Sequence, residues 1–404
     1  MNILHALFRK RRKNENIIKY ILFLLHMWGG ICIGLVITFI AATGAIYVFK
    51  TEIEDFSARQ FINRDKETDK KASLKLVATH FINEYHTNPS RFVIPEENDK
   101  NIRIIGGGRG SKQVIAFADR ETGEIVGTAS SGVSEFFWTI FRLHRWFNAE
   151  NVQFYKQIVG GATVGFLFFI ISGIVLWWPI KGKKKPFKNK FNARLKYGFQ
   201  VFNRDFHINF GAMASIGLLL ITWTGIYFTY PTVREVTIGI FQTKTEKEEA
   251  KQQKIEREKM AKNNPGSKQR RPPKNINDSI FTTINYEVML DAAQQKLNYK
   301  GDINFVFPGH HFSDITIRKT NTKSFLGAVL HDDITFDETG KYKETKLWSD
   351  KTTAQKVRSL IKSLHTGEIL GLKSKFLYFL LALFAAYLPI SGYIMWIKKI
   401  RVNY

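Results

Sequence analysis

Four stretches of this chain are almost purely apolar: Ile21–Phe49, Ile158–Ile180, Phe210–Tyr230 and Phe376–Ile397. Each reaches the roughly 20 residues that a helix needs to cross about 30 Å of hydrocarbon. Inside hydrocarbon every backbone N–H and C=O must be paired within its own segment, so a single span of this kind must be a helix. Trp28, Trp177, Trp178 and Trp396 lie near the ends of these runs, where an aromatic belt is expected. The expected fold is therefore an integral membrane protein, mainly α, with four transmembrane helices separated by polar segments.

A formal charge of +25 invites a nucleic-acid partner, but its distribution argues for a lipid bilayer and against nucleic acid. Arg9–Lys13 precedes the first apolar run, Lys181, Lys183, Lys184 and Lys185 follow the second, and Lys398, Lys399 and Arg401 follow the fourth. Positive charge in short flanks marks the cytoplasmic side. Both termini and the segment 181–206 are thus expected in the cytoplasm, with the long segments outside, as in a multi-pass protein of the inner (cytoplasmic) membrane with periplasmic soluble domains. Cys32 is the one cysteine. One thiol makes no intramolecular disulfide and no thiolate cluster, and without Cys-x-x-Cys-His a haem is not attached covalently.

The spans repeat in pairs. His26 is followed by Gly30, Thr43 and Gly44, and His207 by Gly211, Thr224 and Gly225, at the same spacings. Leu143-His144 precedes the second span and Leu364-His365 the fourth, and these spans end in Ser172-Gly173 and Ser391-Gly392. The polar segments match more weakly. Residues 72–85 and 285–298 each predict a helix, followed by β-rich runs around Asp119–Gly123 and Phe336–Gly340, whose Thr-Gly pairs are hairpin signals. Residues 17–180 and 197–398 thus read as two parallel copies of one unit, related by a pseudo-two-fold axis along the membrane normal. Ala41-Ala42 resembles a signal-peptide cleavage region. A signal peptide would not recur in mid-chain, so the first span is expected to stay.

The resulting organisation is a basic cytoplasmic tail (1–19), the first span (20–50), an external α+β domain (51–135), and an interfacial helix with the second span (136–180). A basic cytoplasmic loop (181–206), the third span (207–230) and an external charged linker (231–280) come next. A second external α+β domain (281–355), an interfacial helix with the fourth span (356–398) and a cytoplasmic tail (399–404) complete the chain. The run Thr243–Asp278 reads as a solvated helix followed by a linker, or as disordered.

A histidine at a span is a functional-site hypothesis by default. Topology and the repeat pair His26 with His207 on the inner side and His144 with His365 on the outer side. Two imidazoles facing one object on the axis suit the axial ligation of haem iron, whereas zinc wants more ligands or a carboxylate. Gly30 and Gly211, at i+4 from the inner histidines, share their helix face and leave room for a flat macrocycle, although close helix packing would also use them. Arg145, Arg358 and Lys362 are cations available to haem propionates and equally good interfacial anchors. His5, His80, His86, His331 and the His310-His311 pair have no such support. The alternative is a haem-free membrane anchor for its external domains; a permease would need more charge within the spans.

The motifs resemble those of the PepSY-associated transmembrane family: His26-Met-Trp-Gly-Gly with Thr43-Gly44, Leu143-His144-Arg145-Trp146, Ser172-Gly173 with Trp177-Trp178-Pro179, Asp205-Phe-His207 with Thr224-Gly225, and Leu364-His365-Thr-Gly367 with Ser391-Gly392. The resemblance covers nearly the whole chain. It implies that the external domains are PepSY-like. It also implies an oxidoreductase of the di-haem ferric-siderophore reductase type, serving iron uptake, with His26, His144, His207 and His365 as ligands of two haem b irons. Some relatives carry a fused flavin domain; here a separate cytoplasmic flavoprotein or a membrane quinol is the expected donor, and a ferric siderophore or other ferric chelate the acceptor. The basic loop 181–196 could dock an acidic donor or serve topology alone.

Overall fold

A computed structural model describes residues 11, 13, 15–64, 72–107, 113–178, 194–263, 281, 284–307, 314–320, 330–337 and 339–402. The chain divides into two compact units, one of residues 1–48, 139–235 and 361–404, the other of 49–138 and 236–360.

The first unit holds four helices long and apolar enough to cross a membrane: Ile17–Tyr47, Val152–Trp177, Phe199–Thr229 and Leu372–Lys399. Asn16 and Asn151 cap the first two through their side-chain oxygens, satisfying backbone donors that a helix start leaves unpaired. The first and fourth spans pack together. Tyr393 donates its hydroxyl to the Ile31 carbonyl at 2.7 Å and Thr38 donates to that of Ala386 at 3.1 Å. The fourth span contains Pro389, which removes one helical hydrogen bond. Nearby polar groups are satisfied internally: buried Asn203 donates to the Ser391 carbonyl at 3.1 Å and accepts from the Tyr387 hydroxyl.

The third span begins earlier than its apolar run. The helix starts at Phe199, and Phe206–Phe210 forms a π-turn before the α-helix resumes at Gly211. His207 therefore lies inside the helix rather than at its start. The charge that disguises this extension is neutralised, because Asp205 pairs with Arg194 at 2.8 Å and Arg204 at 3.1 Å. Single π-turns interrupt the regular ladder and are frequent at functional sites.

The second unit is built on one antiparallel sheet of eight strands: β1 Pro89–Ile94, β2 Ile102–Gly106, β3 Val114–Ala118, β4 Ile125–Thr128, β5 Ile303–Val306, β6 Ile315–Thr320, β7 His331–Phe336 and β8 Tyr342–Lys346. The order is β4-β3-β2-β1-β5-β6-β7-β8. Sequence reasoning expects two separate α+β domains. In the structure the two four-stranded halves share one sheet through β1 and β5, with Phe92 opposite Phe305 and Ile94 opposite Ile303. The physical reason is that each half would otherwise expose a strand edge with unpaired backbone groups. Helices Leu74–Tyr85 and Tyr286–Lys296 cover one face, and their buried residues join the inward side chains of the strands in one core containing Phe81, Phe92, Tyr286, Met289 and Phe305. Asp119 and Asp337 accept backbone N–H groups in the turns between β3 and β4 and between β7 and β8.

The charged stretch after the third span is helical over Pro231–Phe241 and Lys244–Asn263, so part of the expected linker has regular structure. Thr243 and Glu246 form a capping box: the Thr243 N–H donates to the Glu246 carboxylate at 2.7 Å, and the Glu246 N–H donates to the Thr243 hydroxyl at 3.2 Å. That pattern starts helices. The rest of the linker (264–280), the basic residues 181–185 and His310-His311 lie outside the described residues.

Candidate functional site

Each expected histidine pair comes together in the first unit. The rings of His26 and His207 have centroids 6.3 Å apart with planes at 76°. Those of His144 and His365 are 6.4 Å apart at 53°. A metal–imidazole bond is about 2.0 Å, and a ring centre lies roughly 1.1 Å beyond its nitrogen. Two imidazoles on opposite sides of one metal ion therefore have centroids about 6 Å apart. Rotation about the metal–nitrogen axis leaves the interplanar angle free.

The hydrogen bonds define which nitrogen is available. His26 Nδ1 meets the Ser172 hydroxyl at 2.8 Å, and His207 Nδ1 meets that of Ser391. Ser172 donates its one proton to the Phe169 carbonyl and Ser391 to the Leu388 carbonyl, so each hydroxyl accepts from the imidazole. The outer pair uses backbone. His144 Nδ1 donates to the Ile40 carbonyl at 2.9 Å, with Thr43 Oγ1 at 3.3 Å. His365 Nδ1 donates to Thr224 Oγ1 at 2.9 Å, with the Ile221 carbonyl at 3.2 Å. Thr43 and Thr224 also donate their own protons to carbonyls one turn back. These partners suit a proton on Nδ1 of each ring, which leaves the Nε2 lone pair available, the arrangement in which a second partner orients a metal-binding histidine.

The chain before each span is shaped to aim the outer rings. His144 lies near the end of helix Ser131–Trp146, and His365 near the end of Thr353–Thr366. Phe147 and Asn148 then adopt left-handed φ of 54° and 58°, and the Asn148 N–H returns to the Arg142 carbonyl at 3.2 Å, a helix-ending pattern usually built on glycine. At the matching place stands Gly367 with φ +78°, where a Cβ would also lie 2.7 Å from the Tyr378 ring. The outer histidines therefore reach into the bundle although they precede their spans.

The outer acceptors, Ile40 and Ile221, each lie fourteen residues beyond His26 and His207 on the same helices. At 1.5 Å per residue the two pairs are separated by roughly 20 Å along the spans, most of a hydrocarbon thickness.

The glycines divide by role. A Cβ at Gly44 would lie 3.1 Å from His144 Cε1 and one at Gly225 3.4 Å from His365 Cε1, so these two admit the outer rings. A Cβ at Gly30 would meet nothing within 4 Å and one at Gly211 only Leu388 at 3.7 Å. Close packing does not account for Gly30, and the open face suits a flat group.

Near the outer pair Arg145 lies 5.3 Å over the Phe141 ring and 5.9 Å over Trp146, Lys156 lies over Trp146, and Arg234 over Tyr227. Among the described residues none of these three cations makes an ion pair, and buried Trp146 Nε1 has no hydrogen-bond acceptor. Carboxylate groups of a bound cofactor would meet both needs. Arg358 and Lys362 lie on helix Thr353–Thr366. The roles of Arg234 and of the Ile40 and Ile221 carbonyls carry no sequence signal. The Ser and Thr partners stood in the repeated motifs without an assigned role.

Among the described residues no group of three or more His, Cys, Asp or Glu side chains gathers as a metal site, so each histidine pair stands as a pair. Elsewhere, His80 contacts the Gly123 carbonyl and His331 lies 3.6 Å from Asp333.

Compared with known proteins, the chain matches the family described as the PepSY-associated TM region over residues 23–399. No curated protein matches it.

Proposed function

The chain belongs to the PepSY-associated TM family, and from that premise we propose that it carries electrons across the membrane, through two b-type haems, to ferric chelates outside. The observation that carries this reading is the doubled imidazole pair, with ring spacings of 6.3 and 6.4 Å and every Nδ1 tied to the protein. In this reading His26 and His207 hold the inner iron, and His144 and His365 the outer one. A haem held by each pair would supply one-electron redox chemistry. The chain holds the rings in place through Ser172, Ser391, Thr43, Thr224 and two backbone carbonyls. It leaves the macrocycle faces open at Gly30 and Gly211, and offers Arg145, Arg234 and Lys156 to the outer propionates.

The donor is a separate cytoplasmic flavoprotein or a membrane quinol, and the acceptor a ferric siderophore or similar chelate. One electron converts Fe(III) to Fe(II), which hard oxygen ligands hold more weakly, so reduction frees iron for uptake. The two copies of the span pair, the cytoplasmic termini and the PepSY-like external domains belong to the same reading.

Proteoliposomes with reductant inside and a ferric chelate outside test it. Ferrous iron should appear outside, trapped by a colorimetric chelator, and His207→Ala and His365→Ala should each abolish it. Equal ferrous iron from the variants would contradict the reading. Protein that inserts, folds and carries no haem would instead favour a membrane anchor for its external domains.

A further inference from the structure

The second unit contains a cleft of about 200 Å³ at the seam between the two halves of the sheet. Its lining comes from both: Ile94, Glu96 and Arg120 from the first, and Gln294, Lys300 and Lys319 from the second. Arg120 and Lys319 are 4% and 6% exposed. Burial of a cation is costly unless the charge is paired and hydrogen-bonded, yet among the described residues neither makes an ion pair, Glu96 and Asp99 acting on Lys319 and Arg120 only through the field. Arg120 donates from one nitrogen to the Pro95 and Glu97 carbonyls, both at 3.0 Å, and among the described residues its buried Nε has no partner. Lys319 donates to the Leu297 carbonyl at 2.7 Å and lies 5.0 Å over the Tyr299 ring. With Lys300, the lining carries three cations against the one carboxylate of Glu96.

We infer that this cleft is a binding site for a small organic carboxylate. Lys319 keeps donor capacity beyond its one bond to Leu297, and with the positive charge of Arg120 and Lys300 beside it can make the charge-assisted bond that a carboxylate accepts. The volume lies below the usual range for drug-sized ligands, which limits the ligand to a small acid. The site spans β1 and β5, so an occupant ties the two halves together. The inference is independent of haem and of electron transfer.

The test is equilibrium dialysis of radiolabelled succinate against the full-length protein in detergent, at constant chloride. One saturable site per chain is expected. Lys319→Met should weaken binding about 10- to 100-fold, the worth of a charged hydrogen bond. Because that variant also loses the bond to Leu297, Gln294→Trp serves as the second variant: it starts from an exposed helix position and fills the cleft, so it should abolish binding while the protein keeps its circular dichroism. Absence of saturable binding at millimolar succinate, or binding unchanged in Gln294→Trp, would overturn the inference.

Discussion

Gly30 separates the proposed haem site from close helix packing as the reason for a glycine. Its missing Cβ faces open space, so Gly30→Leu should leave folding and membrane insertion intact while lowering haem content from two per chain towards one, measured by the pyridine haemochrome. Gly44 behaves differently. A methyl group there would press on His144 Cε1, so Gly44→Ala should perturb the outer site alone. The inner histidines with their glycines and threonines were legible in the sequence because they recur at identical spacings, and the outer histidines and the serines because they recur at spacings that differ by two residues. The Ile40 and Ile221 acceptors were not, because a backbone carbonyl leaves no trace in residue identity. In the second unit, Asp333 accepts from Arg318 at 2.9 Å and Lys351 at 3.0 Å. Burial pushes its carboxyl up, but Arg318, His331 and Lys351 together hold it below the usual aspartate range. A lowered folded value stabilises above the unfolded value of about 3.9, and that stabilisation is lost as pH falls through the folded value. Asp333→Asn should therefore cost roughly 3 kcal/mol at neutral pH, and the difference from wild type should shrink below about pH 4 in denaturant melts.

At the scale of elements, the sheet shows what sequence pattern carries and what it omits. The turns at Asp119–Gly123 and Asp337–Gly340 announce themselves through short-range chemistry, an Asp accepting backbone N–H groups ahead of a glycine. The pairing of β1 with β5 does not, because it joins strands some two hundred residues apart and depends on two edges meeting. Charge hid the start of the third helix, because Arg204 and Asp205 read as a polar loop until their mutual pairing is seen. Phe92 and Phe305 face each other across the seam, both fully buried. Phe305→Ala should destabilise the second unit by about 3–5 kcal/mol. The double variant with Phe92→Ala should fall short of the sum, since the two residues are cross-strand partners in one core, and chemical denaturation of the four proteins completes that cycle.

For the whole molecule, the charges flanking the four apolar helices predict one orientation, with both termini in the cytoplasm. With the exposed Cys32 replaced by serine, a single cysteine introduced at Glu248 should react with a membrane-impermeant thiol reagent added to intact cells. One introduced at Lys188 should react only after the cells are opened. The measurement that bears most directly on the central claim is the haem-to-protein ratio of wild type, His207→Ala and His365→Ala, purified after expression with ample haem. The two pairs lie roughly 20 Å apart on separate ligand sets, so the account predicts ratios of two, one and one, with a sharp reduced α-band in each sample. A wild-type protein that folds with no haem, or single variants that lose both haems while remaining folded, would contradict it.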